Sequence, residues 1–314
     1  MTCLLRFPFA LCAALLVAAP AVDAYETDQF SNRQNPISDS TEVLDQRVNL
    51  SIAEAVADWK GPRDEKKVVD AIYYDIGGIH WVDKIERWAM KSDNVERLQE
   101  SRYASIYKGH PIWATRFAAL FGTGPTIKLN GSLVGSDKLG HFLSQGRKFW
   151  NRYLKYQDEA RAAEHSAFTE RALFGQMTTG VYSNADLVAN YEGYRFYRSL
   201  FEDDIIEGKK AILDWRDGVW HVQRDFTWAD HVNAYWDEAL NINHFDSLLY
   251  PHMKERLEGF CPEYHQAPEL YTLDDEEVLK ARYKDLQLRD TSELRLDRLC
   301  APVPGTLSAA KGAR

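Results

Sequence analysis

The 314-residue sequence predicts a mostly α-helical fold, a multi-helix globular bundle with a short β-hairpin or ordered loops. Two observations carry this. Apolar residues recur at helical spacing in one segment after another, and Gly or Pro pairs interrupt those segments at short intervals. Strand-like patterning is confined to residues 126–134 and to the neighbourhood of Asp217-Gly218. No internal repeat is present.

The elements follow in chain order. Arg6 and the apolar run from Phe7 to Val22, with small residues at Ala19-Pro-Ala21 and Val22-Asp-Ala24, predict an export signal over 1–24, cut after Ala24. Residues 25–45 are polar, carry Asn, Ser, Gln and Pro36, and are expected to form a flexible leader. A single α-helical domain is expected over 46–300, with its motif-bearing core at 110–200, followed by a disordered tail at 301–314. Residues 51–59 and 66–74 read as helices either side of the Gly61-Pro62 break. Trp81, Ile85 and Trp88 recur at helical spacing after Gly77-Gly78. Pro111 suits the start of a helix through Trp113, Phe117, Leu120 and Phe121. Asn130-Gly131 marks a hairpin or ordered loop. Ser136 is placed to cap a long helix to about Tyr156; further helices are expected over 159–177 and 183–201. Asp217-Gly218, between Trp215 and Trp220, marks a hairpin turn. Helices are expected from Thr227 through Leu240 and from His244 to Leu257, with a charged peripheral one over 274–286.

Composition narrows the function classes. The formal net charge is −9 and no long basic run is present, which argues against nucleic acid and anionic membrane surfaces as partners. After the signal, no segment reaches the roughly 18 consecutive apolar residues of a membrane span. The expected location is therefore periplasmic or secreted. Cys3 and Cys12 would leave with the signal, and Cys261 and Cys300 are expected to pair in an oxidising compartment. The nine tryptophans are expected mainly in the core, a sugar- or acyl-binding groove being the alternative.

Two linked motifs carry the chemistry. In Gly135-Ser-Asp-Lys-Leu-Gly-His-Phe142, Asp137 and His141 lie four apart on one helix face. In Ser183-Asn-Ala-Asp-Leu-Val-Ala-Asn-Tyr-Glu-Gly193, Asp186 and Asn190 do the same. Packed antiparallel, the two helices would bring all four into one apolar layer, where polar groups need partners. Asp137, His141, Asp186 and Asn190 are thus the candidate catalytic cluster, with Lys138 and Tyr197 as candidate binding residues. Simpler roles exist for most of them. Asp137 suits a helix N-terminus, Ser183-x-x-Asp186 resembles a capping box, and His141 suits a hydrogen-bonded interior site. Asn190, in mid-helix, calls for a specific polar contact, and Gly193 for close approach of another backbone.

Asp-Lys-x-x-His-Phe followed by Asp-Leu-x-Ala-Asn-x-x-Gly resembles the VanZ-like proteins and the small envelope lipoproteins of the YfiM type. The resemblance rests on Asp137, Lys138, His141, Phe142, Gly146, Asp186, Leu187, Ala189, Asn190 and Gly193, and covers roughly residues 110–200. It implies a role in the bacterial cell envelope and no settled reaction. VanZ-like members are integral membrane proteins, whereas this chain lacks their spans.

A third polar group comprises Thr227, Asp230, His231, Asn233, Asp237, Glu238, Asn243 and His244. Glu238 or Asp237 with His244 would suit a metal or acid–base site, a solvated helix end being the simpler reading. No His-Glu-x-x-His, Gly-x-Ser-x-Gly, phosphate-binding or dinucleotide motif is present. The expected function is a non-catalytic binding or structural role in the envelope, toward a lipid, glycan or protein partner. The alternative is a periplasmic hydrolase of a lipid or glycan with His141 as base, metal-assisted or not; the sequence leaves metal and cofactor open.

Overall fold

The computed structural model describes residues 26–78, 82–101, 103–109, 123–174 and 176–301. The expected export signal, the helix from Pro111, Trp81 and nearly all of the C-terminal tail lie outside the described residues.

Helices dominate, as the periodicity predicts. Helix α1 (Thr41–Ala57) and helix α2 (Glu65–Ile76) pack through Val48, Ile52, Val68, Val69 and Ile72, all buried. The Asp64 side chain accepts the Lys67 N–H and so starts α2. Helix α3 (Lys84–Ala89) follows. Short strands come next: Arg97–Leu98 pairs antiparallel with Thr126–Leu129, which forms a hairpin with Ser132–Gly135. Asn130 and Gly131 both take positive φ, 48° and 78°, as the two-residue turn requires. The second expected hairpin joins Leu213–Arg216 to Val219–Val222, with Asp217 and Gly218 in the same conformation.

The organising layer is built by three helices. Helix α4 runs over residues 137–156 as Asp137–Gly140, a π turn at His141–Gln145 and Gly146–Tyr156. Helix α5 (Glu159–Thr169) continues into a second π turn, Glu170–Phe174. Helix α6 (Asn184–Ser199) completes the layer and is almost wholly buried. The Ser136 hydroxyl makes no cap, contrary to expectation.

Helices α4 and α6 run parallel, not antiparallel. Their contacts rise together along both chains: Lys138 with Asp186, His141 with Asn190, Gly146 with Gly193, and Trp150 with Tyr197. Helix α5 makes the return journey between them, so the first and third helices share a direction. Gly146 and Gly193 let the backbones touch. A Cβ on Gly193 would lie 1.9 Å from the Phe142 carbonyl oxygen, and one on Gly146 would lie 2.6 Å from Gly193 Cα. Phe142 then fills the space below, stacked 5.3 Å from Phe196 and tilted 4.6 Å from Trp228. Trp150, Trp220, Trp228 and Trp236 are buried, and Trp59, Trp88 and Trp215 pack against the same core.

Three stretches depart from expectation. The anticipated flexible leader is folded: Glu26–Thr27 pairs in parallel with Thr123–Gly124, and Asp28 accepts the N–H groups of Phe30, Ser31 and Ile106. Its polar side chains are spent on internal hydrogen bonds, which composition alone does not reveal. Residues 227–240 form two 3-10 turns, Trp228–Asp230 and Ala234–Trp236, instead of a helix. Side chains of Thr227, Asn233 and Asp237 each take the N–H two residues on, which competes with helix formation. His244–Phe245 is a strand paired with Val181–Tyr182, and helix α7 begins only at Tyr250 (Tyr250–Glu258). Helix α8 (Cys261–Gln266) and Cys300 are joined by the expected disulfide, Cys261–Cys300.

Candidate functional site

The parallel packing of α4 and α6 delivers both motifs to one point. Lys138, one per cent exposed, is its centre. The ammonium lies 2.7 Å from Asp137 Oδ2, 2.7 Å from Asp186 Oδ1 and 2.8 Å from Glu238 Oε1. Burial by itself would lower the Lys138 pKa; Asp137, Asp186 and Glu238 outweigh it and hold it well above the ordinary value.

Local backbone chemistry frees Asp186 for this role. Ser183 is the N-cap of α6, its hydroxyl accepting the Asp186 N–H at 3.1 Å. In a complete capping box the acid would take the Ser183 N–H in return. Glu170 takes it instead, at 3.1 Å, and the Asp186 carboxylate turns toward Lys138 and His141. The same Ser183 hydroxyl donates to Glu238 Oε1 at 3.0 Å. Thr27 donates to Glu238 Oε2 at 3.3 Å, and the Gln29 amide, with its nitrogen toward Glu238, reaches the same oxygen at 3.2 Å.

His141 is held from both sides. Asn190 donates to Ser166 Oγ at 3.1 Å, which fixes its amide and leaves its oxygen 3.0 Å from His141 Nδ1. Nδ1 therefore carries a proton, and Nε2 faces Asp186 Oδ2 at 3.1 Å. The π turn starts at His141, with the Gly146 N–H closing onto the His141 carbonyl five residues back. Such turns are frequent at functional sites. Side-chain exposures of 19 per cent for His141, 17 per cent for Asp137 and 11 per cent for Asp186 put this edge of the centre within reach of solvent. Ligand atoms of these three residues lie within 4.8 Å of one another.

More carboxyl groups surround the centre than the motifs announce. Burial, then Glu238, pushes the Glu26 carboxyl up to about 8. Burial, then Asp186, holds Glu170 well above its ordinary value, and burial, then Asp137 and Asp83, does the same for Glu86. Asp83 is raised by burial to about 7 although the Ser144 hydroxyl lies 2.8 and 2.7 Å from its two oxygens. Gly140 makes room here: a Cβ on it would sit 2.8 Å from Glu86 Oε2.

The structure thus gathers Asp137, Lys138, His141, Asp186 and Asn190. Tyr197 is fully buried two turns further along α6 and donates to the Leu143 carbonyl at 2.9 Å, bracing the π turn. Of the third polar group, Glu238 joins the centre, while Asp237 pairs with Arg33 at 2.7 Å and His244 sits in its strand beside Phe245. His231 belongs to a separate buried network on the far side of α6. There Glu192 meets His231 at 3.2 Å, Arg195 at 2.9 Å, Arg282 at 2.6 Å and the Tyr283 hydroxyl at 2.8 Å. Sequence reasoning missed Glu26, Thr27, Gln29, Ser166 and Glu170. Only Glu170 carries a local signal, as an acid at helical spacing from Ser166. A surface cleft of about 440 Å³ between α1 and α2, lined by Ser51, Asp58, Trp59 and Lys67, lies apart from these groups.

No family model, curated protein or solved structure matches this chain.

Proposed function

We propose that the protein is an exported, periplasmic envelope hydrolase whose centre of Asp137, Lys138, His141, Asp186 and Glu238 activates water against a lipid or glycan substrate. One observation carries the reading. Two separate segments place a pinned imidazole and two carboxylates at a solvent-reachable edge, backed by a fully buried lysine. Buried ion clusters contribute little to stability compared with apolar packing, so such a costly interior points to chemistry. Export is supported by the N-terminal signal-like segment and by the Cys261–Cys300 bond, which suits an oxidising compartment. In the reaction, the water oxygen bonds to the electrophilic centre of the substrate. One water proton passes to the protein's polar cluster and on to the leaving group as the bond between that group and the electrophilic atom breaks.

The test incubates the mature protein with purified cell-wall sacculi and, separately, with envelope lipid vesicles, and follows the products by mass spectrometry. Hydrolysis by the wild type and its loss in a folded His141→Gln variant are expected. No product from either substrate would overturn the proposal. A second reading, a structural or binding role, is favoured by the enclosure of Lys138 among three carboxylates within 2.8 Å. It expects His141→Gln to lower the melting temperature without any activity to lose.

A further inference from the structure

We infer that Asp137, His141 and Asp186 bind one divalent transition-metal ion, an inference that rests on the hydrolytic reading and names the group on which water is activated. The donor set comes first. One imidazole and two carboxylates suit zinc or manganese, whereas calcium seeks six or more oxygens and copper(I) seeks sulfur. Their ligand atoms already lie within 4.8 Å of one another. A metal about 2.1 Å from each of its tetrahedral donors places neighbouring donors roughly 3.4 Å apart, near the 3.1 Å between His141 Nε2 and Asp186 Oδ2.

The surroundings are those of a metal ligand set. A metal-bound histidine ordinarily donates its other ring N–H to an oxygen acceptor, which fixes the ring and tautomer. His141 does so to Asn190, itself fixed by Ser166. For a general base the arrangement is poor, because Nε2 is turned onto a carboxylate instead of outward. Lys138 contacts Asp137 through Oδ2 and Asp186 through Oδ1, so it orients both carboxylates from behind.

The carboxylate oxygens are incompletely hydrogen-bonded. Asp186 Oδ1 rests 2.7 Å from the Lys138 ammonium without a directed hydrogen bond, while its Oδ2 is the oxygen turned toward His141. Asp137 Oδ1 is likewise sealed from water without a hydrogen-bond partner. Ionised, Asp137, Asp186 and Glu238 carry three negative charges against the single charge of Lys138. A divalent ion restores neutrality, and His141 then serves as a ligand while the metal lowers the pKa of bound water.

The test is isothermal titration of the metal-stripped mature protein with Zn²⁺, Mn²⁺ and Mg²⁺. One ion per chain is expected, with Zn²⁺ tightest and Mg²⁺ weakest. Asn190→Ala, which keeps all three ligands, should weaken Zn²⁺ binding about 10- to 100-fold. His141→Gln and Asp186→Asn should weaken it more, and His265→Gln, on an exposed histidine, should leave it unchanged. Because a ligand variant that misfolds would prove nothing, anomalous scattering from Zn²⁺-loaded wild-type crystals locates the ion directly. Absence of binding to the wild type, or an ion elsewhere, overturns the inference. Hydrolysis by metal-free protein would sink the metal alone and leave the hydrolase standing. Stoichiometric binding without any hydrolysis would do the reverse.

Discussion

Gly193→Ala places a methyl group where the Phe142 carbonyl oxygen already stands. The added carbon would lie 1.9 Å from that oxygen and 2.7 Å from its carbon. Both obstacles are backbone, so relief requires α4 and α6 to part by about 1 Å, the shortfall from the shortest tolerated contact. The same movement would stretch the His141–Asn190 bond from 3.0 Å to about 4 Å and break it. Overpacking costs about 3 kcal/mol and the lost bond about 1, offset by about 1 kcal/mol of improved helix propensity. The net loss of about 3 kcal/mol lowers Tm by roughly 6–12 °C for a chain of this size. Circular-dichroism melting is the assay. Gly61→Ala, whose methyl would meet only Trp59 at 3.8 Å, is the comparison and should melt as the wild type does. If Gly193→Ala melts within about 2 °C of the wild type, or higher, the helices are not in backbone contact and the reasoning fails.

Other consequences are open to measurement. Lys138→Met leaves Asp137, Asp186 and Glu238 without their shared cation and should destabilise the fold by about 3–5 kcal/mol in urea titrations. Glu26 and Asp83 hold their protons to about pH 8 and 7, whereas the unfolded chain releases them near pH 4. The folded state therefore binds more protons in that window, and these two groups make stability fall as pH rises from about 4 through 8. Urea midpoints should be lower at pH 8 than at pH 5.5, with a flatter profile for Asp83→Asn. Cys300→Ser opens a loop of 39 residues and should cost about 4 kcal/mol, read as a lower Tm that reductant no longer changes.

Much of this was legible before any coordinates. The helical layer, both two-residue hairpin turns, the disulfide pair and the close approach at Gly193 follow from local pattern and residue chemistry. Asn190 declared a specific contact because a mid-helix amide has no local use. What remained hidden depends on distant partners. Glu26 is an ordinary acid in a polar stretch until Thr123–Gly124 pairs beside it. Glu238 reads as a helix end until the side-chain turns of Asn233 and Asp237 break the helix and fold it inward. The parallel sense of α4 and α6 depends on α5 acting as the return leg, a matter of topology that spacing within either motif does not encode.

The glycine contact has a mechanical corollary. Backbones already touching have nowhere to slide, so five of the central groups, Asp137, Lys138, His141, Asp186 and Asn190, ride on one stiff frame. Glu238 is borne differently, on irregular chain held by short side-chain turns, and Glu26 on a two-residue strand. Whatever adjustment the centre makes on meeting another molecule falls to those two borders, while the helical side keeps its dimensions.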